Sequence, residues 1–291
     1  MMYKILNKLI PYIFLIPAII ILTVFFFIPF FHTIILSFFD YSNNIYSPIF
    51  IGFENYLYLF KNAEFLKVIA NTFVYMFIAV PILVIIPLFL AILINQKIKL
   101  ANLYKVLIYL PVIISIVVVA IAFKWLYNPN GILNYLLKII HLPEINFLTD
   151  SRFALLSVIA LTIFKGIGYY MMIYLSGLMT VPKELIEAAQ IDGANFIKAH
   201  LNVTIPHILP TVALVAIISS ISALKVFVEI YVLTKGGPMN STKTIVYYIY
   251  ERSFEYLDLG VSSAASVILL ILVLLFSIFN ILIFEKDKYK V

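Results

Sequence analysis

A chain of 291 residues that is 64% hydrophobic and only 12% charged, with a mean hydropathy of +1.10, lies outside the range of water-soluble domains, which are about half apolar and about a quarter charged. That excludes a soluble enzyme or binding module and predicts a membrane protein. The net charge of +6 does not imply nucleic acid, since no dense basic cluster tracks a phosphate backbone, and the lack of cysteine excludes disulfides and thiolate metal sites.

Runs long enough to cross roughly 30 Å of hydrocarbon occur from Pro11 to Ser37, Val68 to Ile94, Val106 to Leu126, Phe153 to Leu175, Ile208 to Leu233 and Ser262 to Phe284. They are continuous rather than alternating, so they predict six helices and not barrel strands. The first is too long for a cleaved leader and no small-residue cleavage site follows it, so it is expected to stay as an anchor. Pro81 and Pro87 in the second run and Pro111 in the third suggest kinks. Gly166 and Gly168 in the fourth, beside Tyr169 and Tyr170, either let helices approach or break the helix, and close packing is the favoured reading.

Basic residues orient the spans. Lys4 and Lys8, then Lys97, Lys99 and Lys105, then Lys183 and Lys198, and finally Lys286, Lys288 and Lys290 fall on one side of a six-span chain, while most acids, including Glu54, Glu64, Asp150 and Glu251, fall on the other. By the positive-inside rule both termini are expected in the cytoplasm, with the lysines anchoring to anionic head groups of the membrane lipid.

Between the fourth and fifth runs lies a polar stretch, VPKELIEAAQIDGANFIKAHLNVTIPHILP, residues 181–210. Pro182 suits the first position of a helix with a polar side of Lys183, Glu184, Glu187 and Gln190 and an apolar side of Leu185, Ala188 and Ala189. Gly193 can end that helix in the left-handed conformation, and Asn195 can cap the next, which carries Phe196, Ile197 and Leu201. Pro206 and Pro210 then lead into the fifth span. The small residues Ala188, Ala189, Gly193 and Ala194 would let another surface approach the backbone. Two readings stand: an element on which a partner pushes, or an amphipathic loop lying on the head groups. Of the four histidines, His32, His141, His200 and His207, none shows metal-ligand spacing, and His200 and His207 read as solvated imidazoles.

Glu187-Ala188-Ala189, Asp192-Gly193-Ala194 and Val203-Thr204-Ile205-Pro206 resemble the EAA loop of binding-protein-dependent ABC importer permeases, with Val203 and Ile205 as conservative departures from its Ile and Leu. Tyr174 to Leu178 with Val181 to Leu185 resembles the approach to that loop in sugar permeases. The segment from Tyr231 through Gly236-Gly237-Pro238 to Thr242 resembles the LTxGGPxxST stretch of the MalF/UgpA-type carbohydrate branch. Gly52 to Tyr56, and Trp125 to Asn128 through Gly131 to Asn134, extend the likeness over nearly the whole chain.

The resemblance implies an all-α type I permease: one transmembrane domain over residues 1–291, with a cytoplasmic coupling loop at about 181–207. It implies partners too, namely a second permease, a cytoplasmic ATPase dimer, an extracellular solute-binding protein, and a sugar or related solute as cargo. Glu187, Ala188, Ala189, Asp192, Gly193, Ala194 and Pro206 would then form the surface that docks on the ATPase. The chain holds no G-x-x-x-x-G-K-[ST] phosphate loop, so ATP and magnesium are expected in the partner and no cofactor in this chain.

Lys124, Lys165, Lys225 and Glu229 lie within or near apolar spans, where ionisable groups normally face a bundle interior or water. Lys225 and Glu229 are four apart, so they are expected to share a helix face as a structural pair. Lys225, Glu229 and Tyr231 remain candidates for the substrate pathway, because sugars bind through hydrogen bonds and stacking on aromatic faces. The alternative function is an ion-coupled secondary transporter, which should show internal repeats or clustered intramembrane acids; Glu229 is the only acid well inside a span. No cluster suits a membrane enzyme.

Overall fold

The structure, a computed structural model, describes residues 14–41, 48–96 and 99–285. Pro11, at the start of the first expected span, and Lys4, Lys8, Lys97, Lys286, Lys288 and Lys290 lie outside the described residues. The chain runs through α1 (Phe14–Leu36), a two-residue ribbon of β1 (Phe39–Asp40) and β2 (Ile49–Phe50), α2 (Glu54–Lys61), α3 (Ala63–Ile94), α4 (Ala101–Ile113), α5 (Ile116–Leu126) and α6 (Ile132–Ile139). It continues through α7 (Ala154–Leu178), α8 (Lys183–Ile191), α9 (Phe196–His207), α10 (Leu209–Leu224), α11 (Val228–Leu233), α12 (Ile245–Tyr250) and α13 (Leu259–Glu285).

Helices α1, α3, α7 and α13 are each long and apolar enough to cross a membrane. The pairs α4–α5, bent by 95°, and α9–α10, bent by 75°, bring the number among the described residues to six if each is one span. Two expectations need correcting. The third run, Val106 to Leu126, is not one helix: Ile114 and Ser115 adopt extended conformations, with ψ of 139° and 136°, and separate α4 from α5. The fifth, Ile208 to Leu233, ends as a helix at Leu224 and restarts at Val228. Helix α3, by contrast, continues through Pro81 and Pro87, and the break in the third span falls three residues after Pro111.

The chain divides into two compact units. One takes the residues up to Asn62 together with Ile249–Ile268. Its ribbon is antiparallel, pairing Phe39 with Phe50 and Asp40 with Ile49. Asn55 holds the turn between α1 and β1 by donating from Nδ2 to the carbonyls of Ser37 at 2.9 Å and Phe39 at 3.0 Å, and the Ser37 hydroxyl bonds that of Tyr56 at 2.7 Å. A Cβ added at Gly260 would lie 2.2 Å from the Phe39 carbonyl oxygen, so only glycine lets the first turn of α13 sit against this strand. The Gly52-Phe53-Glu54-Asn55-Tyr56 stretch is therefore a brace for the end of the first span.

The other unit takes Ala63–Tyr248 with the chain from Leu269 onwards. Its core joins Tyr75, Met76, Ala79 and Leu83 of α3 with Val158, Leu161, Met171 and Tyr174 of α7 and with Val212 and Val215 of α10. Between helices in lipid there is no water to expel, so association depends on close packing at small residues. Glycines of α7 supply it on three sides: an added Cβ would meet the Leu83 side chain at Gly166 (2.9 Å), the Ile108 carbonyl oxygen at Gly168 (2.3 Å) and Thr211 Oγ1 at Gly177 (2.5 Å). Close packing at Gly166 and Gly168 is thus what the fold uses them for.

The Gly236-Gly237-Pro238 segment is folded onto the first turns of α3. Lys67 Nζ donates to the Met239 carbonyl at 2.7 Å, and Asn71 Nδ2 donates to those of Asn240 at 2.7 Å and Lys243 at 3.0 Å. Lys243 Nζ reaches Glu64 Oε1 at 2.8 Å with its side chain only 5% exposed. Within the segment the Thr242 hydroxyl donates to the Gly237 carbonyl at 2.8 Å and bonds the Thr234 hydroxyl at 2.7 Å.

Candidate functional site

The polar stretch forms an elbow. Pro182, expected at the first helical position, stands one place earlier: it is extended at ψ 132° and precedes α8. Helix α8 ends in paired reverse bonds, from the Ala194 N–H to the Ala189 carbonyl at 2.9 Å and from the Gly193 N–H to that of Gln190 at 3.1 Å. This Schellman geometry needs a left-handed residue at the turn, and Gly193 takes it at φ +85°. Asn195 then caps α9 by accepting the Lys198 N–H on Oδ1 at 2.9 Å. Glu187, Ala188, Asp192, Gly193 and Pro206 are exposed, while Ala189 and Ala194 are half-buried inside the bend. Leu185, Ile191, Ile197 and Leu201 also stand exposed around the elbow, so its outer surface is mixed apolar and acidic.

His200 is not the freely solvated imidazole expected. It is half-buried, with Nδ1 2.8 Å from Thr204 Oγ1 and its ring edge-on to Phe196 at 4.4 Å. His207 is exposed and lies 3.2 Å from the Thr180 carbonyl through Nε2.

The expected pairing of Lys225 with Glu229 does not form. Lys225 closes α10 and is exposed, and the chain leaves helical geometry before α11, with Phe227 at φ −142°. Four residues apart means one face only if the helix is unbroken. Glu229 instead turns inward. Its carboxylate accepts hydrogen bonds from its own backbone N–H and from the Thr162 hydroxyl, and it feels the charge of Lys165. The Tyr75 hydroxyl bonds Thr162 in turn. Helices α3, α7 and α11 thereby contribute one polar side chain each to a linked polar group, and the Thr162 hydroxyl also lies 3.4 Å from the Val158 carbonyl of its own helix.

Lys165 has a second task. Its Nζ lies 3.2, 3.1 and 2.8 Å from the carbonyl oxygens of Pro111, Val112 and Ile114. These groups lose helical partners where α4 stops, and an ammonium carries three N–H donors. Lysine at a helix C-terminus also complements its negative end. Tyr231, 39% exposed, forms an aromatic group with Phe227 at 5.5 Å and Tyr247 at 6.5 Å. Beyond the end of α11, Leu233, Thr234, Gly237 and Pro238 border a recess of about 430 Å³ that Lys124, Asn128, Asn146 and Thr149 also line.

The structure therefore leaves Glu229 within range of the Lys165 charge while Lys165 Nζ bonds the carbonyls at the end of α4, sets Tyr231 beside an aromatic wall and leaves Lys225 apart. Tyr75 and Thr162 were missed from sequence. The one available signal was Thr162 three residues before Lys165, which puts both on one face of a helix.

A family model described as "Binding-protein-dependent transport system inner membrane component" matches residues 48–286. The chain is 34% identical over 287 residues to the probable ABC transporter permease protein YurN of Bacillus subtilis (strain 168), covering 97% of this chain and 98% of that protein. It is 32% identical over 279 residues to the arabinooligosaccharides transport system permease protein AraP of the same organism, covering 94% and 88%. Among solved structures it resembles a bacterial ABC transporter involved in the import of the acidic polysaccharide alginate, with a TM-score of 0.86, 26% identity and 98% of each chain covered. It also resembles a bacterial alginate ABC transporter solved in complex with an alginate pentasaccharide-bound periplasmic protein, with a TM-score of 0.83, 26% identity and 96% of this chain and 94% of that chain covered.

Proposed function

Since this chain belongs to the family of binding-protein-dependent transport system inner membrane components, we propose that it forms, with a second permease, the path by which an ATP-driven importer takes up an oligosaccharide or related sugar. Family membership sets aside the ion-coupled alternative and places ATP hydrolysis in a separate subunit. The likeness to an arabinooligosaccharides permease and to an alginate importer supports a saccharide as cargo.

The observation that carries the mechanism is the α8–α9 elbow, whose bend is held by the Gly193 reverse turn and the Asn195 cap while its outer side stands exposed. A rigid bend transmits force where a flexible loop would absorb it. In this reading the elbow faces the cytoplasm, as do both termini, and docks on the ATPase through Glu187, Ala188, Asp192 and Gly193, with Ala189, Ala194 and Pro206 shaping it. Closure of the ATPase then moves α7 and α10, which flank the elbow. Cargo passes Thr162 and Glu229, which offer hydroxyl and carboxyl partners to sugar hydroxyls while the buried Tyr75 supports Thr162, and the exposed face of Tyr231.

The test is reconstitution of the whole transporter with its binding protein. ATP hydrolysis should rise when the binding protein carries an oligosaccharide, and Glu187→Lys should keep basal hydrolysis but lose uptake. Stimulation by a polyol or glycerol phosphate and by no saccharide would overturn the cargo; full uptake by Glu187→Lys would remove the elbow from the coupling surface.

A further inference from the structure

Helix α6 presents an apolar stripe that nothing among the described residues covers. Ile132, Tyr135, Leu136 and Ile139 recur at helical spacing and are each between 51 and 65% exposed, whereas the opposite face holds Asn134, which is buried. Asn134 binds the returning strand of chain from both sides of its amide, donating to the Ile145 carbonyl at 3.1 Å and accepting the Ile145 N–H at 2.9 Å. The helix is thus fixed with its polar edge inward and its apolar edge out.

We propose that α6 lies in the plane of the membrane, with this stripe sunk into the head-group and upper acyl region of the bilayer. Three observations place a lipid surface there rather than another protein. First, α6 starts where α5 leaves the membrane: a Cβ on Gly131 would sit 2.6 Å from the Leu126 carbonyl oxygen and 2.7 Å from that of Trp125, so the two helix ends touch. Second, α5 carries its own exposed apolar stripe, Val118, Ile121 and Trp125, and only the short turn from Tyr127 to Gly131 separates it in the chain from α6. Third, Trp125 and Tyr135 mark this junction, and such rings concentrate at membrane interfaces, where one edge stays polar. Lys138, exposed beside the stripe, is placed for its stem to lie along the apolar surface and its ammonium to reach the phosphates. A short, strongly two-sided helix of this composition is the interfacial kind. Its role is to hold the broken α4–α5 span at a set depth while neighbouring helices move. The inference rests on the chain being a membrane permease and not on its cargo.

The chain contains no cysteine, which permits single labels in the assembled transporter in nanodiscs, with the unsubstituted complex giving the background from other subunits. Nitroxides at Tyr135→Cys and Ile139→Cys should be severalfold more accessible to oxygen than to a water-soluble nickel chelate, and Lys138→Cys should show the reverse preference. Access by the chelate at all three positions would mean that the helix stands in water, and protection from both reagents would mean that a protein partner covers it; either overturns the proposal. Leu136→Cys reads the same face should one of the others fail to assemble, and retained uptake verifies that labelled complexes are native.

Discussion

Gly193 and Lys165 both resolve a local backbone conflict, by different means. At Gly193 an added Cβ would find nothing within 4 Å, so the demand for glycine comes from φ +85° and not from crowding. A left-handed residue with a Cβ costs roughly 1–2 kcal/mol, and Asn tolerates it better than most. Uptake per ATP hydrolysed is expected to fall in the order Gly193→Asn, Gly193→Ala, Gly193→Val, with membrane insertion unchanged; a Val variant coupled as well as the Asn variant would contradict this. Lys165 satisfies three carbonyls at the break between α4 and α5. Lys165→Met removes charge-assisted bonds worth about 1.5–3 kcal/mol each when a single one is lost, so the purified transporter should melt at a lower temperature, and Lys165→Arg should recover part of the loss. An unchanged melt in Lys165→Met would mean that the break holds without its cap.

At the scale of elements, α7 shows why one helix can sit at the centre of a bundle in lipid. Its glycines face three different neighbours, and those neighbours differ in compliance. Beside Gly168 the obstacle is the Ile108 backbone at 2.3 Å, which moves only with α4; beside Gly166 it is the Leu83 methyl at 2.9 Å, which can rotate away. Gly168→Ala is therefore expected to cost more than Gly166→Ala, within the range of about 1–3 kcal/mol typical of overpacking. Thermal denaturation of the two variants in detergent checks the order, and equal losses would show that α4 yields as easily as a side chain. The breaks in the third and fifth spans belong to this scale as well. Both runs are apolar almost throughout, so periodicity has nothing to register, and a helix and a broken helix look alike in such a run.

Across the molecule, the segment from Thr234 to Lys243 depends on contacts distant in sequence. The Lys243–Glu64 pair joins residues far apart in the chain, and Lys243 is nearly inaccessible while Glu64 remains 27% exposed. Removing one partner of a buried pair costs about 3–5 kcal/mol, and the water reaching Glu64 lowers that figure. Lys243→Ala should release the segment and speed tryptic cleavage after Lys235, whereas Glu64→Gln, which keeps an acceptor for the ammonium, should do so less. Equal protease resistance in both would place the anchoring in Lys67 and Asn71 instead.

The elbow was legible in sequence because each of its parts is local: a glycine that reverses the chain, an asparagine that caps the next turn, and alternating polar and apolar positions within a few residues. Class and approximate spans were legible because hydrocarbon sets a length that composition meets directly. The surroundings of Glu229 were not, since its partners lie on α3 and α7 and the helix meant to carry Lys225 beside it is interrupted. By itself the sequence determined a polytopic helical protein with a polar elbow, because lipid requires every span to satisfy its own backbone, and the resemblance of its motifs implied a permease. Only the tertiary structure decided where spans break and which charges meet, because a carbonyl freed by a break is stable only when another helix brings a donor to it.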